Sequence, residues 1–324
     1  MVEQGTVEGS THVPVMRDRI VALLAPALDR PGAVYVDCTL GLGGHAEAIL
    51  DACPGARLVG IDRDPAALDL ARGRLARFGD RVGLWQAVFD ELPDVLAEAG
   101  HPRVQAILMD LGLSSMQIDR RERGFSYSAD APLDMRMDPA GALTAEQVVN
   151  TYSAAQLARI LRVFGEERFA DRIARRIVAE RAVEPFRSSP RLVRVIADAI
   201  PAAARGTGGH PAKRTFQALR IEVNGELAAL DAALPAALAA LAPEGRLAVL
   251  SYHSLEDRRV KTAFRDATTD HVPRGLPAVP ASLRARYRLL TRGAERPDPT
   301  ETAANPRAAS ARLRAVIRTE EATS

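Results

Sequence analysis

The sequence predicts an α/β fold: a parallel sheet covered by helices on both faces, with an all-helical domain inserted into it. Three observations carry this. Short β-prone runs alternate with helix-length amphipathic segments through the first third of the chain. A glycine cluster follows the first run, and aspartates end the second and fourth. Residues 114–214 are dominated by helical periodicity, where such a fold usually needs a loop of roughly 2–6 residues.

In chain order, residues 33–39 (AVYVDCT) are the first strand, broken by Gly41, Gly43 and Gly44, and residues 45–52 continue as a helix. Residues 57–61 (RLVGI) are a second strand ending at Asp62. The spacing of Leu68, Ala71, Leu75 and Phe78 predicts a helix over 65–78. A third strand follows over 81–88, a short helix over 93–99, and a fourth strand over 104–109, ending at Asp110. Right-handed crossovers place all these strand ends on one edge. Residues 144–161, 166–181 and 189–200 read as helices, the last opened by Ser189-Pro190 as cap and first-turn proline. Phe216, Leu219, Val223, Leu227 and Leu230 predict one helix over 215–230, and residues 246–252 (RLAVLSY) the fifth strand. A helix over 257–265 and two more strands, 284–291 and 311–319, complete the chain. The Pro-, Thr- and Ala-rich stretch between them, 292–310, is expected to be mobile. The expected domains are a discontinuous sheet domain, residues 1–113 with 215–324, and an inserted helical domain, residues 114–214.

With 47% hydrophobic and 26% charged residues, a chain of 324 residues can bury a sizeable core, which argues against disordered and fibrous classes. No apolar run approaches the roughly 20 residues a spanning helix needs. Residues 1–16 carry acids and polar residues without an apolar core, so no secretion signal is expected. Two cysteines, Cys38 and Cys53, supply neither a disulfide framework nor a zinc site, so the expected compartment is a reducing cytoplasm and no metal is expected. Of the 43 basic residues only Lys213 and Lys261 are lysine. That bias points first to a GC-rich genome, so the arginine count says little about nucleic acid.

In a parallel α/β sheet, ligands bind beyond the carboxyl ends of the strands. That rule selects the loop from Gly41 to His45, Asp62, Phe89, the loop from Asp110 to Ser115, and the turn from Ser251 to Ser254. Glycines let the backbone approach a ligand, and the helix that follows offers unpaired N–H groups to an anion. Asp62, at the end of strand two, can accept both hydroxyls of a ribose. A dinucleotide site would want a third glycine three residues after Gly43, which is missing. S-adenosylmethionine has no pyrophosphate and needs only an amino-acid cradle and a ribose acceptor.

Several specific motifs run along the chain in order. They include His12-Val-Pro-Val-Met16, Asp37-Cys-Thr-Leu-Gly-Leu-Gly-Gly-His45, Gly60-Ile-Asp-Arg-Asp-Pro65 and Asp110-Leu-Gly-Leu-Ser-Ser115. Arg123-Gly-Phe-Ser-Tyr127, Pro132-Leu-Asp-Met-Arg-Met-Asp138 and Gly165-Glu-Glu-Arg168 come next. The series ends with the run from His210 to Ile221, Ser251-Tyr-His-Ser-Leu-Glu-Asp257 and Asn305-Pro-Arg307. In these motifs the chain resembles the ribosomal small-subunit RNA methyltransferase H family, also called MraW. The resemblance implies a Rossmann-like class I methyltransferase sheet with a helical insertion. It also implies S-adenosylmethionine as cofactor and methylation of N4 of one cytidine in the decoding region of 16S ribosomal RNA. The expected partner is small-subunit ribosomal RNA or the assembled small subunit, with no membrane; a homodimer is admitted. Carried onto matching positions, the resemblance has Gly43, Gly44 and His45 line the methionine end and Asp62 hold the ribose. Phe89 packs near the adenine, Asp110 closes the pocket, and Gln117 reaches it. Met116 departs from the proline of many members, and Glu244 from a glycine.

The chemistry asks for hydrogen-bond acceptors, because the cytosine amine lone pair is delocalised into the ring. Asp110 is the candidate acceptor and His253 the candidate general base. Against these stand structural readings: His253 bonded to backbone, and Asp110 as pocket wall without a part in the chemistry. Residues 159–194 hold ten arginines against five acids, a candidate RNA face, although i,i+4 pairs on solvated helices would give the same count. Phe125 and Tyr127, beside Arg123, either stack an unpaired base or pack within their loop. Two other functions remain open from the residues: an NAD-type dehydrogenase, disfavoured by the missing glycine, and a non-catalytic RNA-binding or ribosome-assembly factor.

Overall fold

A computed structural model describes residues 13–128, 130–204, 209–270 and 284–319; His12, which opens one motif, lies outside them. The strands are β1 (Val34–Asp37), β2 (Arg57–Asp62), β3 (Val82–Gln86), β4 (Val104–Asp110), β5 (Leu241–Ser251), β6 (Tyr287–Leu289) and β7 (Arg312–Arg318). They form one sheet in the order β3-β2-β1-β4-β5-β7-β6. The first five pair in parallel, and β7 runs antiparallel to both β5 and β6. This is the Rossmann-like class I methyltransferase sheet that the motifs imply.

The strand sequences are nearly continuous apolar runs because both faces are buried. Tyr35, Leu58, Ala106, Leu108 and Leu250 face one layer, with α1 (Arg17–Leu24), α2 (Gly44–Ala52) and α3 (Pro65–Leu75). Their neighbours Val36, Val59, Ile107, Met109 and Val249 face the other, where α4 (Leu92–Glu98) packs.

The chain between β4 and β5 is helical: α5 (Ser115–Asp119), α6 (Ala145–Thr151), α7 (Ala154–Val163), α8 (Ala170–Val183), α9 (Ser189–Ala199) and α10 (Lys213–Asn224). The helix expected over 144–161 is two. Ser153 starts a new one, its hydroxyl accepting from the Gln156 N–H while the Gln156 side chain accepts from the Ser153 N–H. The helix expected over 215–230 also divides, at Gly225 in the left-handed region (φ +63°), and continues as α11 (Glu226–Ala240). The cap of α9 is Ser188, one residue before the expected position, which puts Pro190 second in the helix. These helices share a core of their own, including Leu133, Val148, Leu157, Ile173, Phe186 and Ile196. Phe216 and Leu219 of α10 belong to it, whereas Ile221 of the same helix packs with Leu227 and Leu255. The expected boundary at residue 214 therefore falls inside a helix that serves two cores. Helix α11 and α12 (Ser254–Ala267) join α4 on the second face of the sheet.

Two further expectations need correction. Strand β5 begins five residues early: Val104 pairs with Leu241 and Ala106 with Arg246, so residues 242–245 form a bulge opposite Gln105. Glu244 sits there at φ +61°, a conformation that costs an L side chain about 1–2 kcal/mol. Glu244→Gly is expected to stabilise the protein by about 1 kcal/mol, read as a higher urea midpoint with an unchanged m-value. A midpoint that falls would refute the strain. The stretch 292–310 has regular structure instead of the expected linker character. It carries α13 (Pro299–Ala304), capped by Asp298 accepting from the Glu301 N–H, and a further turn capped by Asn305. Its composition resembles a linker, but these caps and the buried Ala308 give it a fixed path. Glu301 fastens it by accepting from the Met16 N–H at 2.7 Å.

Candidate functional site

The sheet order reverses between β1 and β4, the point where ligands settle in open α/β sheets. A cavity of about 540 Å³ lies there. Its walls are the loops after β1, β2, β4 and β5, residues of the helical segment such as Met135, Met137 and Gln217, and the strap around Asn305.

The glycine loop is built from the strand outward. Leu40 N–H donates to the Ile61 carbonyl, and Gly43 N–H closes a turn on the Leu40 carbonyl. Gly43 is the left-handed cap of α2 (φ +77°), and a Cβ there would stand 3.2 Å from Leu75 Cδ1. Gly43 thus backs onto α3 and is not among the lining residues, whereas Gly44 and His45 are. The Asp62 carboxylate accepts from Gly41 N–H at 2.7 Å and Asp64 N–H at 2.9 Å. Burial pushes its carboxyl up to about 6, against the pull of those two N–H groups. Phe89 lines the cavity from the turn after β3.

Asp110 ends β4 at the centre. Its Oδ1 accepts from the Tyr252 hydroxyl at 2.7 Å, and its own N–H donates to Thr39 Oγ1 at 2.6 Å. Its Oδ2 lies 3.5 Å from His45 Nε2, not aligned as a hydrogen bond. His45 is 6% exposed and neither ring nitrogen has a hydrogen-bond partner. Behind it, burial pushes the Asp37 carboxyl up to about 6, opposed by His45 and by the Tyr35 hydroxyl.

Gln117 also lines the cavity, but its amide is committed to scaffolding: Oε1 accepts from Ser114 N–H and Nε2 donates to Asp64 Oδ2. His253 is the N-cap of α12. Its Nδ1 accepts from the Glu256 N–H, and its Nε2 stands 3.0 Å from Glu256 Oε1. Burial disfavours charge on Glu256, yet His253 and Arg220 hold its carboxyl below the usual range. Nδ1 accepts within the cap and Nε2 faces the Glu256 carboxylate without the alignment of a hydrogen bond, so the ring is turned to its own helix start. The geometry favours the structural reading of this histidine. Phe125 is buried in the helical core, and Tyr127 stacks on His210 at 4.7 Å while lining the cavity.

The model of the MraW methylase family matches residues 9–319. The chain belongs to that family. A protein of Nocardioides sp. named ribosomal RNA small subunit methyltransferase H is 62% identical over 97% of this chain and 99% of its own length. Proteins of the same name from Thermobifida fusca and Streptomyces avermitilis are 61% and 60% identical, over 96% of this chain and 94% and 98% of theirs. Membership of a methylase family sets the dehydrogenase alternative aside.

Three features of this MraW-family site are not among the expected residues. Asp64, fully buried, accepts from Arg123 at 2.8 Å, and Arg123 also donates to the Arg136 and Met137 carbonyls. Asn224 donates to the Met135 carbonyl and accepts from the Met137 N–H, pinning the specific Pro132–Asp138 motif to α10. Tyr252 orients Asp110. All three join residues distant in sequence, with no local signal. The spacing of His253 and Glu256, however, is that of a reciprocal cap, which could have been read.

Proposed function

We propose that the chain transfers the methyl group of S-adenosylmethionine to N4 of a cytidine in the decoding region of 16S ribosomal RNA. The observation that carries this reading is the central Asp110 carboxylate. It is flanked by a nucleoside-suited wall (Gly41, Asp62, Phe89) on the sheet side and opens toward the helical segment. The residues fit the cofactor: the two unpartnered nitrogens of buried His45, at the start of α2, await a polar group. A helix start also favours a carboxylate. Gly44 and His45 would hold the amino-acid end, Asp62 the ribose and Phe89 the adenine face.

When bound, S-adenosylmethionine supplies a methyl group on a positively charged sulfur. The protein aligns the cytosine amine with it, and positioning of this kind is worth about 7–11 kcal/mol in well-oriented systems. Asp110, held by Tyr252 on one oxygen, accepts from the amine N–H with its remaining lone pairs and takes up the proton released after transfer. His253, fastened to Glu256, holds the turn after β5 in place. The helical segment, with its arginine-rich 159–194 stretch, is the RNA platform. Phosphate contacts place the strand there, and the base is splayed into the cavity. The names of the relatives, and the cavity's extent onto the helical segment, support RNA as substrate. Mass-spectrometric nucleoside analysis of ribosomal RNA from cells with and without the protein tests the assignment; an unchanged N4-methylcytidine content would end it.

A pH dependence follows from Asp62. Ribose hydroxyls donate to the ionised carboxylate, so protonation at its raised value of about 6 weakens the site. Cofactor affinity is expected to fall up to about tenfold from pH 7 to pH 5, and to fall less steeply in Asp62→Asn, already weaker at pH 7. Asp37 is intact in that variant and accounts for any residual slope. Calorimetric titrations at several pH values measure both, and identical slopes would remove Asp62 from the ribose site.

A further inference from the structure

The strap that follows α13 brings Asn305, Pro306 and Arg307 into the cavity wall. From it Arg307 reaches Asp119, the last residue of α5, with Nη2 2.6 Å from Oδ1. The two residues before Asp119, Gln117 and Ile118, line the same cavity. The pair thus bridges two walls where the cavity meets solvent, its side chains 44% and 62% exposed. An exposed ion pair of this kind contributes little stability, and the strap is seated without it. Glu301 accepts from the Met16 N–H, Arg19 holds Glu295 with two hydrogen bonds, and Glu295 pairs with Leu313 through the backbone. Of the other cations of the wall, Arg220 holds Glu226 in a bidentate pair and Arg63 donates to the Asn224 carbonyl, while Arg74 stands 3.8 Å from Glu47 and Lys213 is exposed at the start of α10. Arg307 is therefore a guanidinium at the cavity rim, held by a carboxylate that is easily exchanged.

We propose that Arg307 is a ligand for a phosphodiester of the substrate RNA, held in reserve by Asp119, and that the incoming phosphate displaces the Asp119 carboxylate. This rests on the reading of the substrate as RNA. The two free oxygens of a phosphodiester match the planar guanidinium as a carboxylate does. The exchange therefore replaces one anion by another without leaving the arginine unpaired. Asp119 then acts as a competitor for the site, which gives the two partners opposite effects on RNA binding.

The test is a double-mutant cycle on RNA affinity, measured by filter binding with small-subunit ribosomal RNA at several salt concentrations, with cofactor affinity measured alongside. Arg307→Ala is expected to raise the RNA dissociation constant about tenfold and to reduce the salt slope by roughly 0.7–0.9, the share of one contact. Asp119→Asn is expected to lower it about two- to fivefold. The double variant should match Arg307→Ala, because the competitor no longer matters once its cation is gone. Weakening by Asp119→Asn would show a structural clamp and overturn the exchange. Equal tightening by Asp119→Asn in both backgrounds would show long-range charge alone and overturn it as well. Cofactor affinity lost in Arg307→Ala would mean that the strap had moved, and this too would overturn the exchange. A wild-type protein without salt-dependent RNA binding would instead overturn the substrate reading on which the proposal rests.

Discussion

Asp110→Ala is expected to slow methyl transfer about 10²–10³-fold in a protein that remains folded. In the proposed mechanism the carboxylate at the end of β4 is the acceptor, and removal of a single preorganised polar group at a reacting centre has effects of this size. Asp110→Asn keeps an oxygen for the amine N–H and for Tyr252 but no charge to receive a proton, so its loss should be smaller, about tenfold. Single-turnover incorporation of labelled methyl groups into RNA measures the chemical step, and calorimetry measures the cofactor. A rate within threefold of wild type in Asp110→Ala would leave Asp110 as wall only.

Asp64→Ala should cost about 3–5 kcal/mol of stability, the usual range when one partner of a buried ion pair is removed. Arg123, with only 12% of its side chain exposed, would lose its countercharge, and Gln117 Nε2 its acceptor. The cap of α3, where Asp64 accepts from the Ala66 N–H, would go as well. Because Arg123 also grips the Arg136 and Met137 carbonyls, the damage should spread to the cavity wall. Changing both partners, Asp64→Ala with Arg123→Met, should recover part of the loss, since an apolar replacement for the whole pair is often tolerated. Urea unfolding of the three variants decides the matter. A loss below about 1 kcal/mol in Asp64→Ala would mean that Arg123 finds another partner.

The sheet is legible in the sequence because its signals are local: apolar runs of strand length, glycines after the first, and Asp62 and Asp110 at strand ends. Asp62 can be picked out by its 21-residue distance from Gly41, and the two meet in a hydrogen bond. Residues whose meaning comes from distant partners are silent. Nothing near Asp64 announces Arg123, 59 positions on, and Asn224 is one polar residue on an amphipathic helix until the Met135–Met137 backbone lies against it. His253 invites a chemical reading, although the glutamate three residues later already offers it a structural post. The strap misleads because composition ignores caps: Asp298 and Asn305 each order a segment that by content resembles a linker.

The dual allegiance of α10 bears on how the chain is made. As the polypeptide leaves the ribosome, β1 to β4 emerge first, and β4 must wait for its neighbour β5, which begins at Leu241. The helices between them cannot close their own interior until Phe216 and Leu219 have appeared. Once α10 is out, that interior is complete while the sheet still lacks three strands. Pairings between residues far apart in sequence form slowly, so the nascent sheet passes through an interval with its β4 edge unpaired, a state prone to misassociation. The helical core therefore has all its residues on the growing chain before the sheet does, and α10 leads from it directly into α11 and β5.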